Sequence, residues 1–448
     1  MEIEAEAVGH LRALIRFDTS NPPGNEAPAA EYVAAVGRAA GLEAYLFEAE
    51  PGRGSAVLRL RGDDRGRPLL LLSHLDTVPA ELAKWRQPPW SAEVADGCVW
   101  GRGAIDSKLT TAVQLSALLA LSREGQPRRD VVLAATAGEE GGGPANGAAW
   151  LAANRPDLVG AEYTLNEHGG FCLEVGGRRY YTLQVAEKGG CAVRLIARGA
   201  PGHASVPHAD NALYKLGRAL ARLGERKMPL RVAPTARAFV EAIAADHDHL
   251  GSADVAATLR ALLDPLRHDD ALARLPTEPA TRDLIDAALR NTAAPTVVEG
   301  GIKPNVIPSE AVVQLSGRPL PGTGLEEFLA DLRACVGDEV EVLAPPESFA
   351  PGLEHRRDPA FEEAALRALR RHDPEAVLVP FLVPLGTDAK RLTGLGQPIY
   401  GFVPMLHQPG LDYMRLCHGH DERVSLASVA FGARVLRDLL RELAGTAR

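Results

Sequence analysis

His74 and Asp76 stand two residues apart in Ser73-His74-Leu75-Asp76-Thr77-Val78-Pro79, directly after an apolar run at 68–73. An Asp at that spacing can lie beside the imidazole and fix its tautomer, as carboxylates do behind metal-bound histidines. A capped turn with a satisfied histidine accounts for the same residues equally well. In Trp100-Gly101-Arg102-Gly103-Ala104-Ile105-Asp106-Ser107-Lys108, Asp106 stands at a helix start. It is there either as an N-cap or as a carboxylate giving one oxygen to each of two cations, and the segment alone does not separate the two. Thr136-Ala137-Gly138-Glu139-Glu140-Gly141-Gly142-Gly143 is more telling. Adjacent carboxylates repel unless something cationic stabilises them, and between a strand and a glycine turn the pair suits a site better than a solvated face. One Glu could bind a metal while its neighbour takes a proton from water. Leu165-Asn166-Glu167-His168-Gly169-Gly170 and Cys417-His418-Gly419-His420-Asp421-Glu422 each offer more candidate ligands than a site needs. Together the segments supply two histidines and three carboxylates at strand ends, with no thiolate. Such a donor set suits zinc, cobalt or manganese in a catalytic site.

Those segments need a frame that gathers strand ends. Residues 68–73 and 131–136 read as buried strands, with an alanine- and leucine-rich helix over 108–122 between them. Residues 5–17 and 28–40 carry helical apolar spacing, separated by the turn-rich Ser20-Asn21-Pro22-Pro23-Gly24. Strands apolar on both faces, alternating with helices, predict an α/β fold with a mixed, mainly parallel sheet, and ligands collect where the strands of such sheets end. Around Glu187-Lys188-Gly189-Gly190 the pattern changes to a smaller α+β unit with strand-like Cys191–Arg198, a helix near 210–223 and strand-like 311–315. The expected layout is a larger discontinuous domain over 1–188 and 346–448. A smaller one over 189–345 carries a helical insertion near 236–291. A final helix is expected over 425–443.

The composition limits the alternatives. At 448 residues, 46% apolar and 24% charged, the chain is an ordinary globular protein long enough for two domains. A formal net charge of −9 without a long basic tract argues against nucleic acid as a partner. No apolar run approaches the ~20 residues that span a bilayer, so no membrane partner is expected. The acidic start, Met1-Glu2-Ile3-Glu4-Ala5-Glu6, lacks the features of a secretory signal. Five scattered cysteines without CxxC spacing fit reduced thiols in a cytoplasm. Neither a Walker lysine loop nor a dinucleotide fingerprint is present.

The order His74-x-Asp76, Asp106, Glu139-Glu140, Glu167, His418, with Trp85 and Trp90 and the His418-Gly419-His420-Asp421-Glu422 string, resembles the M20 family of metallopeptidases and aminoacylases over essentially the whole chain. Its carboxypeptidase S, aminoacylase-1 and desuccinylase-like members are the most similar. The resemblance implies a zinc-exopeptidase-like catalytic domain and a smaller lid domain that dimerises in some members. It implies two divalent metal ions, zinc foremost with cobalt or manganese as alternatives. His74, Asp106 and Glu167 would hold one; Asp106, Glu140 and His418 the other. The family often has a cis peptide after the shared Asp, here Asp106-Ser107. Asp76 would orient His74, and Glu139 would act as general base on the attacking water. His168 and His420 have no role on this reading. In the lid, Gly199-Ala200-Pro201-Gly202-His203-Ala204-Ser205 resembles the motif whose histidine, His203, donates to the oxyanion, in dimeric relatives across to the partner subunit. Asn305, Arg318, Gly386 and Thr387 match substrate-binding positions. Two departures are Ser316, where the family often has Asp before the lid Arg, and the long 236–291 insertion. The implied activity is hydrolysis of an amide bond in N-acyl amino acids or small peptides. A specialised dipeptidase or deacylase of the same family is the near alternative. A non-catalytic metal-binding interaction protein is a more distant one, against which the intact Glu139 argues.

Overall fold

Leu69–His74 and Val131–Thr136 are buried at every residue. In the computed structural model, which describes residues 2–141 and 143–445, they lie side by side in parallel, His74 paired with Thr136. Tyr163–Asn166, equally buried, flanks Leu69–His74 on the other side, again in parallel, with Leu71 opposite Leu165. Continuous apolar character is what strands covered on both faces require. The order across the sheet is Glu43–Glu48, Gly54–Leu60, Val131–Thr136, Leu69–His74, Tyr163–Asn166, Ile399–Gly401 and Arg178–Glu187. The sheet is parallel at its centre, Ile399–Gly401 included, and antiparallel at its margins. The helix Lys108–Ser122 is buried at every residue but its last, and it packs against Glu2–Ile15 and Leu426–Ala444. That explains its weak amphipathicity: neighbours surround it and leave no solvated face.

The chain divides into two compact units. One comprises Met1–Val185, His355–Pro380 and Thr387–Arg448, and contains the strand ends described above. The other comprises Ala186–Glu354 and Phe381–Gly386. Its antiparallel sheet runs Thr292–Gly300, Glu310–Arg318, Cys191–Arg198, Glu341–Leu343. The helices Ala212–Glu225 and Leu325–Val336 contribute Leu216 and Phe328 to a core with Val193, Leu195, Val313 and Leu315. The alanine- and charge-rich stretch of this unit forms the helices Pro234–His249, Ala253–Ala261, His268–Arg274 and Pro279–Ala288. Asp286 ties that layer together, 2.8 Å from His268 Nε2 and from Arg290 Nε and 2.9 Å from Lys227 Nζ. Among the described residues no helix is long and apolar enough to cross a membrane. The five cysteines carry free thiols.

Behind Glu167 the backbone is packed to contact. A Cβ on Gly169 would stand 1.9 Å from the Gly401 carbonyl oxygen, and one on Gly401 2.2 Å from the Glu167 carbonyl oxygen. Backbone on both sides cannot rotate away as a side chain could. Gly169→Ala is therefore expected to destabilise the protein by about 2–3 kcal/mol, read as a lower urea midpoint at unchanged slope. An unchanged midpoint would show that this strand end has slack.

Candidate metal centre

The three parallel central strands end at the same edge, and each delivers its polar residues there. His74 is the last residue of its strand. Glu139 and Glu140 follow Thr136 after Gly138, which turns the chain at φ 77°. Glu167 directly follows Asn166. His74 Nε2 lies 3.1 Å from Asp106 Oδ1 and 3.0 Å from Glu167 Oε2. His418 Nε2 lies 3.1 Å from Asp106 Oδ2 and 3.1 Å from Glu140 Oε1. Two triads thus share Asp106, one oxygen facing each, and the donor atoms of each triad lie within 4.8 Å of one another.

Asp76 sets the geometry of both the histidine and the glutamate turn. Its backbone carbonyl is 3.0 Å from His74 Nδ1 and its Oδ1 3.4 Å away. Placing the His74 ring hydrogen on Nδ1 leaves the Nε2 lone pair facing Glu167 Oε2, a buried oxygen with no hydrogen-bond donor. Two acceptors opposed at this distance call for a cation between them, and imidazole with carboxylate is a donor set that fits a divalent metal. The Asp76 carboxylate accepts from the backbone of Glu139 and Glu140, 3.0 Å each, and from Asn21 Nδ2 at 2.9 Å. The residue that steadies the histidine therefore also fixes the adjacent glutamates. The fold subdivides the glycine turn here: Gly143–Ala145 forms a short 3-10 turn, while Gly142 lies outside the described residues.

Asp106 is not a helix cap. Ser107 occupies the N-cap position of Lys108–Ser122, the Asp106–Ser107 peptide is cis, and the Asp106 side chain points at the histidines. What holds its loop is Glu422, fully buried. Glu422 Oε1 accepts from the backbone nitrogens of Ile105 (2.7 Å) and Asp106 (3.1 Å). Oε2 accepts from Gly103 N at 2.9 Å and from Arg102 Nη1 at 2.8 Å. Asp421 beside it grips the backbone nitrogen and Nε of Arg86, 2.7 Å each. Arg86 and Arg423 both lie 4.6 Å from the Trp100 ring centre.

The electrostatics follow from crowding acids with imidazoles. Burial works to depress the His74 pKa, but Glu167, Asp106 and Asp76 outweigh it and hold the ring well above its usual range. Burial opposes ionisation of Asp106, yet His168, His418 and His74 keep it well below the ordinary carboxylate range. At Glu139 burial, joined by the charges of Glu167, Asp388 and Glu140, overcomes His74 and raises the carboxyl well above its ordinary value. Asp388, pushed up to about 6 by burial, accepts from Thr136 Oγ1 at 3.0 Å and Asn146 Nδ2 at 2.7 Å. A cation in each triad would supply the positive charge that protons otherwise supply here.

The remaining sequence-predicted residues are placed elsewhere. Thr387 is buried in the first unit, 2.9 Å from Asn166 Nδ2 and 3.1 Å from Ala389 N. Gly386, His203, Asn305 and Arg318 belong to the second unit. There His203 is exposed, opposite Val306 in a two-stranded ribbon, with Nδ1 2.7 Å from Ser205 Oγ. The Asn305 carbonyl receives Ala204 N at 3.1 Å. Arg318 ends the strand Glu310–Arg318, opposite Thr292. His420 is exposed, 3.8 Å from Glu81 Oε1. His168, in contrast, is buried against Asp106.

Residues 70–442 match the peptidase family M20/M25/M40, a span that includes every residue of both triads. The chain belongs to this family. As an M20 protein it is a metal-dependent hydrolase, and its central sheet with added smaller sheets is the M20 architecture. It is 26% identical over 391 residues to probable carboxypeptidase S-like 2 of Dictyostelium discoideum, covering 83% of this chain and 71% of that protein. It is 27% identical over 408 residues to the N-fatty-acyl-amino acid synthase/hydrolase PM20D1 of Homo sapiens, covering 86% and 76%. The fold matches an M20 family metallo-carboxypeptidase of Sulfolobus solfataricus with TM-score 0.67 at 17% identity, over 97% and 98% of the two chains.

Proposed function

We propose that this M20 hydrolase cleaves the amide bond of N-acyl amino acids or small peptides and releases a free amino acid. The observation that carries the reading is Asp106, which offers one oxygen to each of two donor triads next to a glutamate that belongs to neither. The relatives, by their names a carboxypeptidase and an N-fatty-acyl-amino acid hydrolase, act on the same kind of bond.

In this reading His74, Asp106 and Glu167 hold one zinc ion and Asp106, Glu140 and His418 the other; cobalt or manganese suits the same donors. The ions, when bound, polarise the scissile carbonyl and lower the pKa of the attacking water. Glu139 takes the proton of that water and passes it to the leaving amine, a task open to it because it belongs to neither donor triad and its carboxylate is left free of the ions. Asp76 keeps His74 in the tautomer that presents Nε2 and holds Glu139 by its backbone. His203 donates to the oxyanion, and the hydrogen bond between its Nδ1 and Ser205 leaves Nε2 for that purpose. Arg318, whose guanidinium suits a carboxylate, is proposed to bind the substrate carboxylate with help from Gly386 and Thr387, and Asn305 is proposed as a further substrate contact. Pairing of two copies through the second unit and a cytoplasmic location complete the reading.

Amino-acid release from a panel of N-acyl amino acids and dipeptides tests it, with zinc or cobalt added and a chelated control beside it. Release that the chelator abolishes and fresh metal restores is expected. The best substrates separate an acylase from a dipeptidase, and no release from metal-loaded protein across the panel would count against the assignment.

A further inference from the structure

His168 has no place in either triad, yet it faces the same two carboxylates as His74. Its Nε2 lies 3.5 Å from Asp106 Oδ1 and 3.8 Å from Glu167 Oε2. Its Nδ1 lies 3.2 Å from the Tyr413 hydroxyl. The ring is buried, and Tyr413 is itself held flat against Phe171, with ring centres 4.9 Å apart and planes at 14°. With the Tyr413 hydroxyl donating to Nδ1, the ring hydrogen sits on Nε2, between the two carboxylates. The backbone also bears on the point. His168 is in the left-handed region at φ 59°, immediately before Gly169 and Gly170, which are pressed against Gly401 and Val403. A side chain kept in that conformation beside a packed turn indicates a position chosen for its chemistry.

We propose that His168 is a positioning residue for the metal centre: with Tyr413 fixing its tautomer, its Nε2 hydrogen is aimed at Asp106 Oδ1 and its buried ring lies beside Glu167, so that the two carboxylates keep the spacing the first cation requires. Histidines behind ligating carboxylates act in this way by orienting the oxygens rather than by binding the ion. The proposal rests on the two-cation reading above, and calorimetric titration of the wild-type apoprotein with zinc or cobalt tests that reading separately: absence of two binding events would remove it before His168 is considered.

Given two events, His168→Phe, which keeps a ring of similar size, is expected to weaken one of them about 10–100-fold and the other by less, because Asp106 serves both triads while Glu167 serves only the first. His168→Gln, whose amide N–H can reach the same carboxylates, is expected to restore most of that loss. Cobalt-loaded His168→Gln should keep the visible band positions of the wild type, because the ligands are unchanged. Tyr413→Phe should give a smaller loss that disappears in the His168→Phe background. Wild-type affinities in His168→Phe would overturn the proposal. So would a failure of Gln to restore binding, or shifted cobalt bands in the Gln variant, which would make His168 a ligand or a packing residue. Additive effects of the two positions would remove Tyr413 from the arrangement and overturn it as stated.

Discussion

Replacing Glu139 by glutamine is expected to lower kcat about 10³-fold while both cations stay bound. Glutamine keeps the shape of the side chain and removes only the proton acceptor. Glu139 belongs to neither donor triad, so the metal content has no reason to fall. Its backbone nitrogen remains anchored to Asp76 Oδ1 at 3.0 Å, so the turn has no reason to move. A loss of that size corresponds to about 4 kcal/mol of barrier. Saturation kinetics on the best substrate, with metal stoichiometry by atomic emission, separates the possibilities. Near-wild-type turnover would dismiss Glu139 as the base, and loss of metal would make it a ligand.

The second large effect is predicted for a residue outside the reaction. In Glu422→Ala the Arg102 guanidinium, with a side chain only 2% exposed, loses its carboxylate, and the backbone nitrogens of Gly103, Ile105 and Asp106 lose their acceptor. Removing one partner of a buried pair leaves an uncompensated charge, and the expected destabilisation is about 3–5 kcal/mol. Because the loop so released carries Asp106, cation binding should weaken in the same variant. Glu422→Gln, which keeps an acceptor oxygen and loses the charge, should fall between. Urea unfolding of the apoproteins measures the first effect and calorimetric metal titration the second. An unfolding midpoint like that of the wild type would mean that the loop has another brace.

The centre of the sheet was legible in the chain because Leu69–Leu72 and Val131–Ala135 are apolar without interruption, which a strand needs only when covered on both faces. Once those strands are parallel neighbours, His74, Glu139 and Glu167 must emerge at one edge, and the site follows from the fold. The antiparallel Gly54–Leu60 was not legible, since its place depends on Val131–Thr136, a partner far along the chain. Asp106 was ambiguous for a local reason: a helix start is where a capping Asp and a liganding Asp look alike, and only Ser107 in the cap position separates them. Glu422 and His168 were beyond local reading. Their partners lie 316 and 245 residues away, at Asp106 and Tyr413, and no spacing rule connects positions so distant.

That separation along the chain also sets the time at which the molecule can begin to work. His74, Asp106, Glu139, Glu140 and Glu167 leave the ribosome early, whereas His418 and Glu422 follow some 250 residues after Glu167 and belong to the same centre. Until Arg423–Ser425 pairs with Cys98–Trp100, the Asp106 loop has no brace and Glu140 no imidazole opposite it. A half-made chain therefore carries most of the donor cluster but neither the imidazole that faces Glu140 nor the carboxylate that braces the Asp106 loop, and the cluster is complete only once residues 418–425 are in place.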